Sequence, residues 1–228
     1  NILLFYMDID NKKNLILITS IINTINHPLS YTKTRSVFTR YERFEQTKNT
    51  IFSIQKYIPN YKILLVECSH FSHDENEFFY NNCDYVINLV NDLNSIKYIN
   101  SPAKAAGEGT MTKKALEFII NNDIKFDNLF KITGRYNIND KFNYNIYNND
   151  LNIFKKIDHI SLYTSLYKIK YNDIKNLLIF INNSFSRMIN AEGYEIIFND
   201  LTKLIDIEYT DNLGVTGFVA VSGIKVIC

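Results

Sequence analysis

The chain has 228 residues, with 25 Lys and Arg against 24 Asp and Glu, a formal net charge of +1. Near-balanced charge excludes a global field drawing in nucleic acid or an anionic membrane. At 46% hydrophobic and 21% charged residues, the composition is that of a folded chain and excludes a disordered one.

Residues 2–6 are apolar and read as an edge strand or a short amphipathic cover. Residues 15–22 (LILITSII) are continuous, apolar and β-branched, the pattern of a strand buried on both faces. Residues 23–40 form a long polar connection, and a connection of that length inside a compact domain is usually functional. From Tyr41, Phe44, Thr47, Ile51, Ile54 and Ile58 recur at three- and four-residue steps, which predicts a helix stopped by Pro59-Asn60. Residues 61–66 read as a second buried strand. A short helix is expected within 70–82, a strand over 84–90, a loop over 91–110 and a helix over 111–122. Residues 129–133 give a fourth strand, followed at once by GRYNIND. Beyond it, 159–169 reads as strand, 174–182 and 191–204 as helices, and 218–222 as a last extended segment. Alternation through the first 133 residues predicts an α/β fold. Its central sheet would be mostly parallel with helices on both faces, in a single domain over 1–228.

Open parallel sheets bind ligands at the carboxyl ends of their strands, and four groups of residues fall at such places. Arg35, Ser36, Arg40 and Arg43 follow the first strand, where guanidinium forks suit a diphosphate. Arg40 and Arg43 read equally well as helix-start residues paired with Glu42 and Glu45. Lys104, Gly107 and Glu108 lie in a loop whose glycines let backbone approach a ligand. Their spacing matches neither a dinucleotide fingerprint nor a phosphate-binding loop. Gly134, Arg135 and Tyr136 leave the fourth strand, placing a cation and a ring at the mouth of a cleft, with Asn139 and Asp140 close behind. Cys68, His70, His73, Asp74 and Glu75 invite a zinc reading, but no second ligand cluster accompanies them, and Asp74 and Glu75 read better as a helix start. No nucleophile elbow and no aromatic-basic pattern for RNA is present.

Three cysteines (Cys68, Cys83, Cys228) do not make a disulfide framework, and an odd count fits a reducing compartment, so a cytoplasmic location is expected. No stretch is long and apolar enough to span a membrane. The abrupt start at Asn1 and stop at Cys228 suggest a piece of something longer.

Four blocks carry a resemblance. They are TRSVFTRYERFEQTKNTIFSIQKYIPNYKILLVE, NSPAKAAGEGTMTKKALEFI, LFKITGRYNINDKFN and LGVTGFVAVSG. In this order they resemble GT-A-like glycosyltransferases of bacterial surface-polysaccharide loci and large DNA viruses. They are similar to the N-terminal sugar transferase domain of chlorovirus capsid-glycan enzymes, over residues 32–223. The resemblance implies a GT-A domain that takes a nucleotide diphosphate sugar as donor and a glycan or glycoprotein as acceptor. By position it puts Arg35 and Ser36 near the nucleotide, and Arg43 is a further candidate for binding the donor. Lys104, Gly107 and Glu108 would lie near the diphosphate or sugar, and Gly134 and Tyr136, after the fourth strand, are further candidates for binding the donor.

The sequence departs from that pattern at the fourth strand, where many such enzymes carry a metal-binding Asp-X-Asp. The only such triplet, Asp8-Ile9-Asp10, precedes the first core strand. Either Arg135 replaces the metal's charge, or Mn²⁺ or Mg²⁺ is held by other carboxylates such as Asp140. Glu192 and Glu195 are the candidate general bases, and they also read as helix-start carboxylates. Two rival readings are a sugar-nucleotidyltransferase, against which the first loop lacks a glycine, and a non-catalytic domain retaining the fold.

Overall fold

The structure, a computed structural model, describes residues 13–228. The expected strand over 2–6 and the Asp8-Ile9-Asp10 triplet lie outside the described residues. A seven-stranded sheet forms the centre, in the order β3-β2-β1-β4-β7-β6-β8. Its strands are β1 (Asn14–Thr19), β2 (Tyr61–Glu67), β3 (Tyr85–Asn88), β4 (Asn128–Thr133), β6 (Asn152–Phe154), β7 (Leu166–Lys170) and β8 (Ile207–Tyr209). β1 pairs in parallel with β2 and β4, β2 with β3, and β6 with β8, whereas β7 runs antiparallel to β4 and β6. The expected mostly parallel α/β sheet is therefore present. A second, antiparallel sheet joins β5 (Tyr136–Ile138), β9 (Val215–Phe218) and β10 (Lys225–Ile227) in the order β10-β9-β5.

Both faces of the large sheet are covered. On one, Leu15, Leu17, Leu64 and Val66 pack with α4 (Lys104–Asn121), α6 (Ile174–Ile189) and α7 (Tyr194–Asn199). On the other, Ile16, Ile18, Ile63 and Leu65 pack with α1 (Arg40–Tyr57) and α2 (His73–Asn82). The period-2 alternation of strand side chains puts neighbouring residues of β1 in opposite cores, so the strand reads as an unbroken apolar run.

α1 and α2 begin in the same way. Thr39 accepts from the amide of Glu42 while Glu42 reaches back to Thr39, and Ser72 and Glu75 make the same reciprocal cap. Arg40 pairs with Glu75 rather than with Glu42 or Glu45, its Nε donating to Glu75 Oε1 at 2.8 Å. Glu75 is thereby fully occupied, and Asp74 and Glu75 start a helix as expected.

Two expectations fail. Residues 91–110 are not a loop: α3 (Leu93–Ile99), capped by Asp92, leads directly into α4 at Lys104. Gly107 and Gly109 sit inside that helix because neighbours crowd them. A Cβ on Gly107 would lie 3.3 Å from the Ile99 backbone, and one on Gly109 would lie within 2.4 Å of Met188 Sδ. Both glycines permit close packing of helices, and Gly107 also lines a cavity beside the start of α4. The late elements also shift. α6 continues to Ile189, and the helix expected over 191–204 shrinks to α7 plus a 3-10 turn after Ala191 takes a positive φ of 62°. The extended segment expected over 218–222 lies instead at Val215–Phe218 (β9), and β10 follows it at Lys225–Ile227. α5 (Tyr144–Tyr147) and the short strands β5, β6, β8 and β10 have too few residues to leave a periodic signal.

Candidate active site

At the carboxyl edge of the large sheet, Thr19 of β1 and Thr133 of β4 stand side by side in register. β1 stops at Thr19, three residues before the end of its apolar run. There the side chain of Glu67, at the end of β2, takes over as acceptor for the amide of Ile22 at 3.1 Å. Glu67 Oε1 also accepts from the amide of Cys68 (2.9 Å) and from Ser69 Oγ (2.6 Å), while Oε2 has no hydrogen-bond partner within normal bonding distance among the described residues. This carboxyl is fully buried and its pKa is raised by desolvation, against the opposing pull of those hydrogen bonds.

A folded-state pKa above the unfolded one means that Glu67 contributes stability fully at acid pH and loses it as pH rises through the raised value. Glu67→Gln keeps an acceptor without the charge. Thermal melts from about pH 4 to about pH 8 should therefore show the wild type losing ground to Glu67→Gln as pH rises. A pH-independent difference would count against a buried, proton-binding Glu67.

The chain leaving β4 turns through Gly134, whose amide donates to Thr19 O at 2.9 Å and whose carbonyl accepts from Thr47 Oγ1 at 3.1 Å. A Cβ there would come within 2.9 Å of Ser20 Cβ, so the close approach of β1, α1 and this turn requires glycine. Gly134 is thus a packing residue that aims the next side chain. Arg135 borders two cavities that share Tyr31, Lys104 and Glu108, one of about 410 Å³ and one of about 210 Å³. Together they form a two-lobed cleft across the ends of β1 and β4.

The smaller lobe lies against the chain after β1 and the first turn of α1. Arg43 is buried, and its Nε donates to Ile21 O at 2.6 Å and Nη1 to Ser36 Oγ at 3.2 Å. Burial, and then the like charge of Arg135, push its guanidinium down to about 9, so it remains a cation at neutral pH. Ser36 borders neither lobe; it orients Arg43 and accepts from the amide of Phe38. Arg35 borders the smaller lobe, but its Nη1 and Nη2 donate to the carbonyls of Ile99 (3.2 Å), Asn100 (2.6 Å) and Ser101. It closes the end of α3 and pins the 23–39 connection there, leaving only Nε without a partner. By contrast, the guanidinium of Arg135 has no hydrogen-bond or ion-pair partner among the described residues, and its Nε is buried. Lys104, exposed at the start of α4, borders both lobes without a side-chain partner among the described residues.

The larger lobe is bounded by Tyr31, Tyr136, Tyr163, Ile157 and Val226 on its apolar side, and by Glu192 and Glu195 at α7. Tyr31 is 59% exposed, an aromatic face offered to the cleft. The two carboxylates differ, Glu195 lying in the first turn of α7 and Glu192 preceding the helix. Glu192 is tied to Arg187, which donates from Nε at 2.7 Å and from Nη2 and also holds Asp200 at 2.6 Å; Arg187 draws the Glu192 pKa below the ordinary carboxylate range. Glu195 has no side-chain partner among the described residues and faces the lobe. Two groups missed in the sequence are Lys131 and Tyr31. Lys131 sits in an apolar strand, where its alternation with Phe130 and Ile132 was the available signal.

Asp140 does not join the cleft. It is exposed beyond β5 and borders neither lobe, so the expected catalytic or metal role for it has no geometric support. The end of β4 does not suit a divalent cation either. It presents a threonine, a glycine and a free arginine, and no group of three His, Cys, Asp or Glu side chains converges among the described residues. Of the three cleft carboxylates, Glu108 is bound to Lys131 and Glu192 to Arg187.

No family profile and no curated protein matches the sequence. Solved structures do. The glycosyltransferase GlyE of Streptococcus pneumoniae TIGR4 aligns with 88% of this chain at 11% identity and a TM-score of 0.50. A candidate nucleotide-diphospho-sugar transferase from Desulfovibrio desulfuricans G20 aligns with 87% of this chain and 80% of its own at 9% identity and a TM-score of 0.51. The chain has a GT-A-like fold. It covers 45% of the GlyE chain. A glycosyltransferase involved in glycosylation of the PBCV-1 major capsid aligns with 87% of this chain and 82% of its own at 10% identity and a TM-score of 0.46. Within the GT-A-like domain the cleft lies where open α/β sheets bind ligands, at the carboxyl ends of the parallel strands. No helix among the described residues is long and apolar enough to cross a membrane, and Cys68, Cys83 and Cys228 are free thiols.

Proposed function

We propose that this domain transfers a sugar from a nucleoside diphosphate sugar to a hydroxyl-bearing acceptor glycan. The observation carrying this reading is Arg135: a guanidinium without a partner among the described residues, at the end of β4, bordering both lobes. A cation kept free in a half-buried site beside Arg43 and Lys104 needs an anion, and a diphosphate supplies two. In this reading the smaller lobe takes the nucleoside diphosphate, with Arg43 and Lys104 flanking it. The larger lobe, with its tyrosines, takes the acceptor, since sugar rings present apolar faces to aromatic side chains.

Chemically, the acceptor hydroxyl oxygen forms a bond to the anomeric carbon as the bond from that carbon to the β-phosphate oxygen breaks. The departing nucleoside diphosphate carries the electron pair, and Arg135 meets the charge that develops. In an inverting transfer, Glu195 takes the hydroxyl proton, being the cleft carboxylate without a cation on it.

The test is a panel of UDP, GDP and dTDP and their sugars, scored by thermal shift and by donor hydrolysis, with and without Mn²⁺. Saturable stabilisation by one nucleoside diphosphate series, independent of Mn²⁺, is the expected result. A chain stabilised by none of them would not be a nucleotide-sugar transferase. Pyrophosphate release from a sugar phosphate and a nucleoside triphosphate would move it to the nucleotidyltransferases.

A further inference from the structure

The floor of the cleft holds a buried ion pair that binding a diphosphate does not require. Lys131 of β4 is fully buried, and its ammonium donates to the Glu108 carboxylate, to Thr133 Oγ1 (3.0 Å) and to Thr164 O (3.2 Å). All three ammonium hydrogens are thus committed. Glu108 Oε1 accepts a second bond, from Thr19 Oγ1 at 2.9 Å. Glu108 Oε2 has no donor among the described residues, and the carboxylate borders both lobes where they meet.

Burying a lysine is costly unless its charge is matched, so the pair fixes both the sign and the rotamer of Glu108. Burial alone would raise the Glu108 pKa, but Lys131, then Thr19 and Lys104, hold it below the ordinary carboxylate range. Three roles can be compared. As a phosphate ligand, Glu108 would set like charge against like charge. As a proton acceptor it is weakened, because Lys131 already stabilises its ionised form. As a fixed acceptor for neutral hydroxyl groups it is well made: one oxygen is anchored by two donors and the other is open to the cleft.

We propose that Glu108 recognises the transferred sugar by accepting a hydrogen bond from one of its hydroxyls, with Lys131 as the positioning residue beneath it. This rests on the transferase reading above and narrows its donor to a sugar that is neutral and rich in hydroxyls. A hexuronate would carry its carboxylate into the field of Glu108 and Glu195.

The test titrates the wild type, Glu108→Gln and the double variant Glu108→Gln/Lys131→Met calorimetrically. The probes are UDP, GDP and dTDP, then UDP-glucose, GDP-mannose and dTDP-glucose, with UDP-glucuronate as the acidic counterpart. The double variant removes the unpaired buried ammonium and so guards against a folding defect. The expected result is that both variants bind the nucleoside diphosphate within about twofold of wild type but lose at least about tenfold in affinity for the best-bound nucleotide hexose. UDP-glucuronate should bind the wild type no better than UDP. Equal losses for nucleoside diphosphate and nucleotide hexose, or no loss for either, would overturn the assignment of Glu108 while leaving the transferase reading standing. UDP-glucuronate bound as tightly as UDP-glucose would overturn the neutral-sugar class. A wild type that binds none of the probes would remove the transferase reading itself.

Discussion

Arg135→Ala is expected to lower kcat for sugar transfer by about 10²- to 10³-fold, the range seen when one preorganised donor to a developing charge is removed. The loss should fall on kcat more than on KM, because the leaving group's charge grows as its bond to the sugar breaks. Stability should not follow activity. The guanidinium has no protein partner among the described residues, and its like charge helps push the buried Arg43 down to about 9. Its removal therefore relieves repulsion, and the melting temperature should hold or rise. Arg135→Lys should recover part of the rate but not all, since an ammonium keeps the charge without the planar fork. Steady-state kinetics and a thermal melt on the same preparations check both halves. A raised KM with unchanged kcat would mean that Arg135 binds donor and transition state alike. A fallen melting temperature would mean that it is structural.

The contrast between Arg135 and Arg35 shows how much of the site was legible. Both arginines were readable as cations at strand ends, and both border the cleft. Only the folded chain shows that Arg35 closes the end of α3, because its partners are backbone carbonyls 64 to 66 residues away. The parallel half of the sheet was legible because β1 and β2 are buried on both faces and carry continuous apolar runs, and β4 does so but for Lys131. α1 was legible from its stripe. The first turn of α4 was not, because the glycines that allow Ile99 and Met188 to approach are the residues that ordinarily mark a loop. The small antiparallel sheet was missed for a different reason. Three- and four-residue strands that pair across the chain carry no period of their own, and they are specified by their partners.

That small sheet controls the second large effect. Gly217 of β9 pairs with Tyr136 of β5, and the tyrosine ring lies over it. A Cβ at Gly217 would come within 2.3 Å of Tyr136 Cδ1, 2.4 Å of Cγ and 2.7 Å of Arg135 O. No rotamer change of the new methyl relieves this, so either the ring swings away or β9 separates from β5. Glycine in a strand here marks close approach rather than a turn. Gly217→Ala should cost about 1–3 kcal/mol of stability, the range for overpacking. It should also cost activity beyond what that loss explains, because the displaced atoms include the carbonyl of Arg135 and the tyrosine that walls the larger lobe. Gly193→Ala is the matched control. It borders the larger lobe, but its Cβ would meet Ile196 at 3.5 Å, ordinary contact, and both stability and rate should stay near wild type. Urea midpoints paired with kcat separate the two substitutions. If Gly217→Ala loses stability but keeps full kcat under conditions where it is folded, then β9 supports the domain without aiming Arg135, and the cleft's cation is held by the Gly134 turn alone.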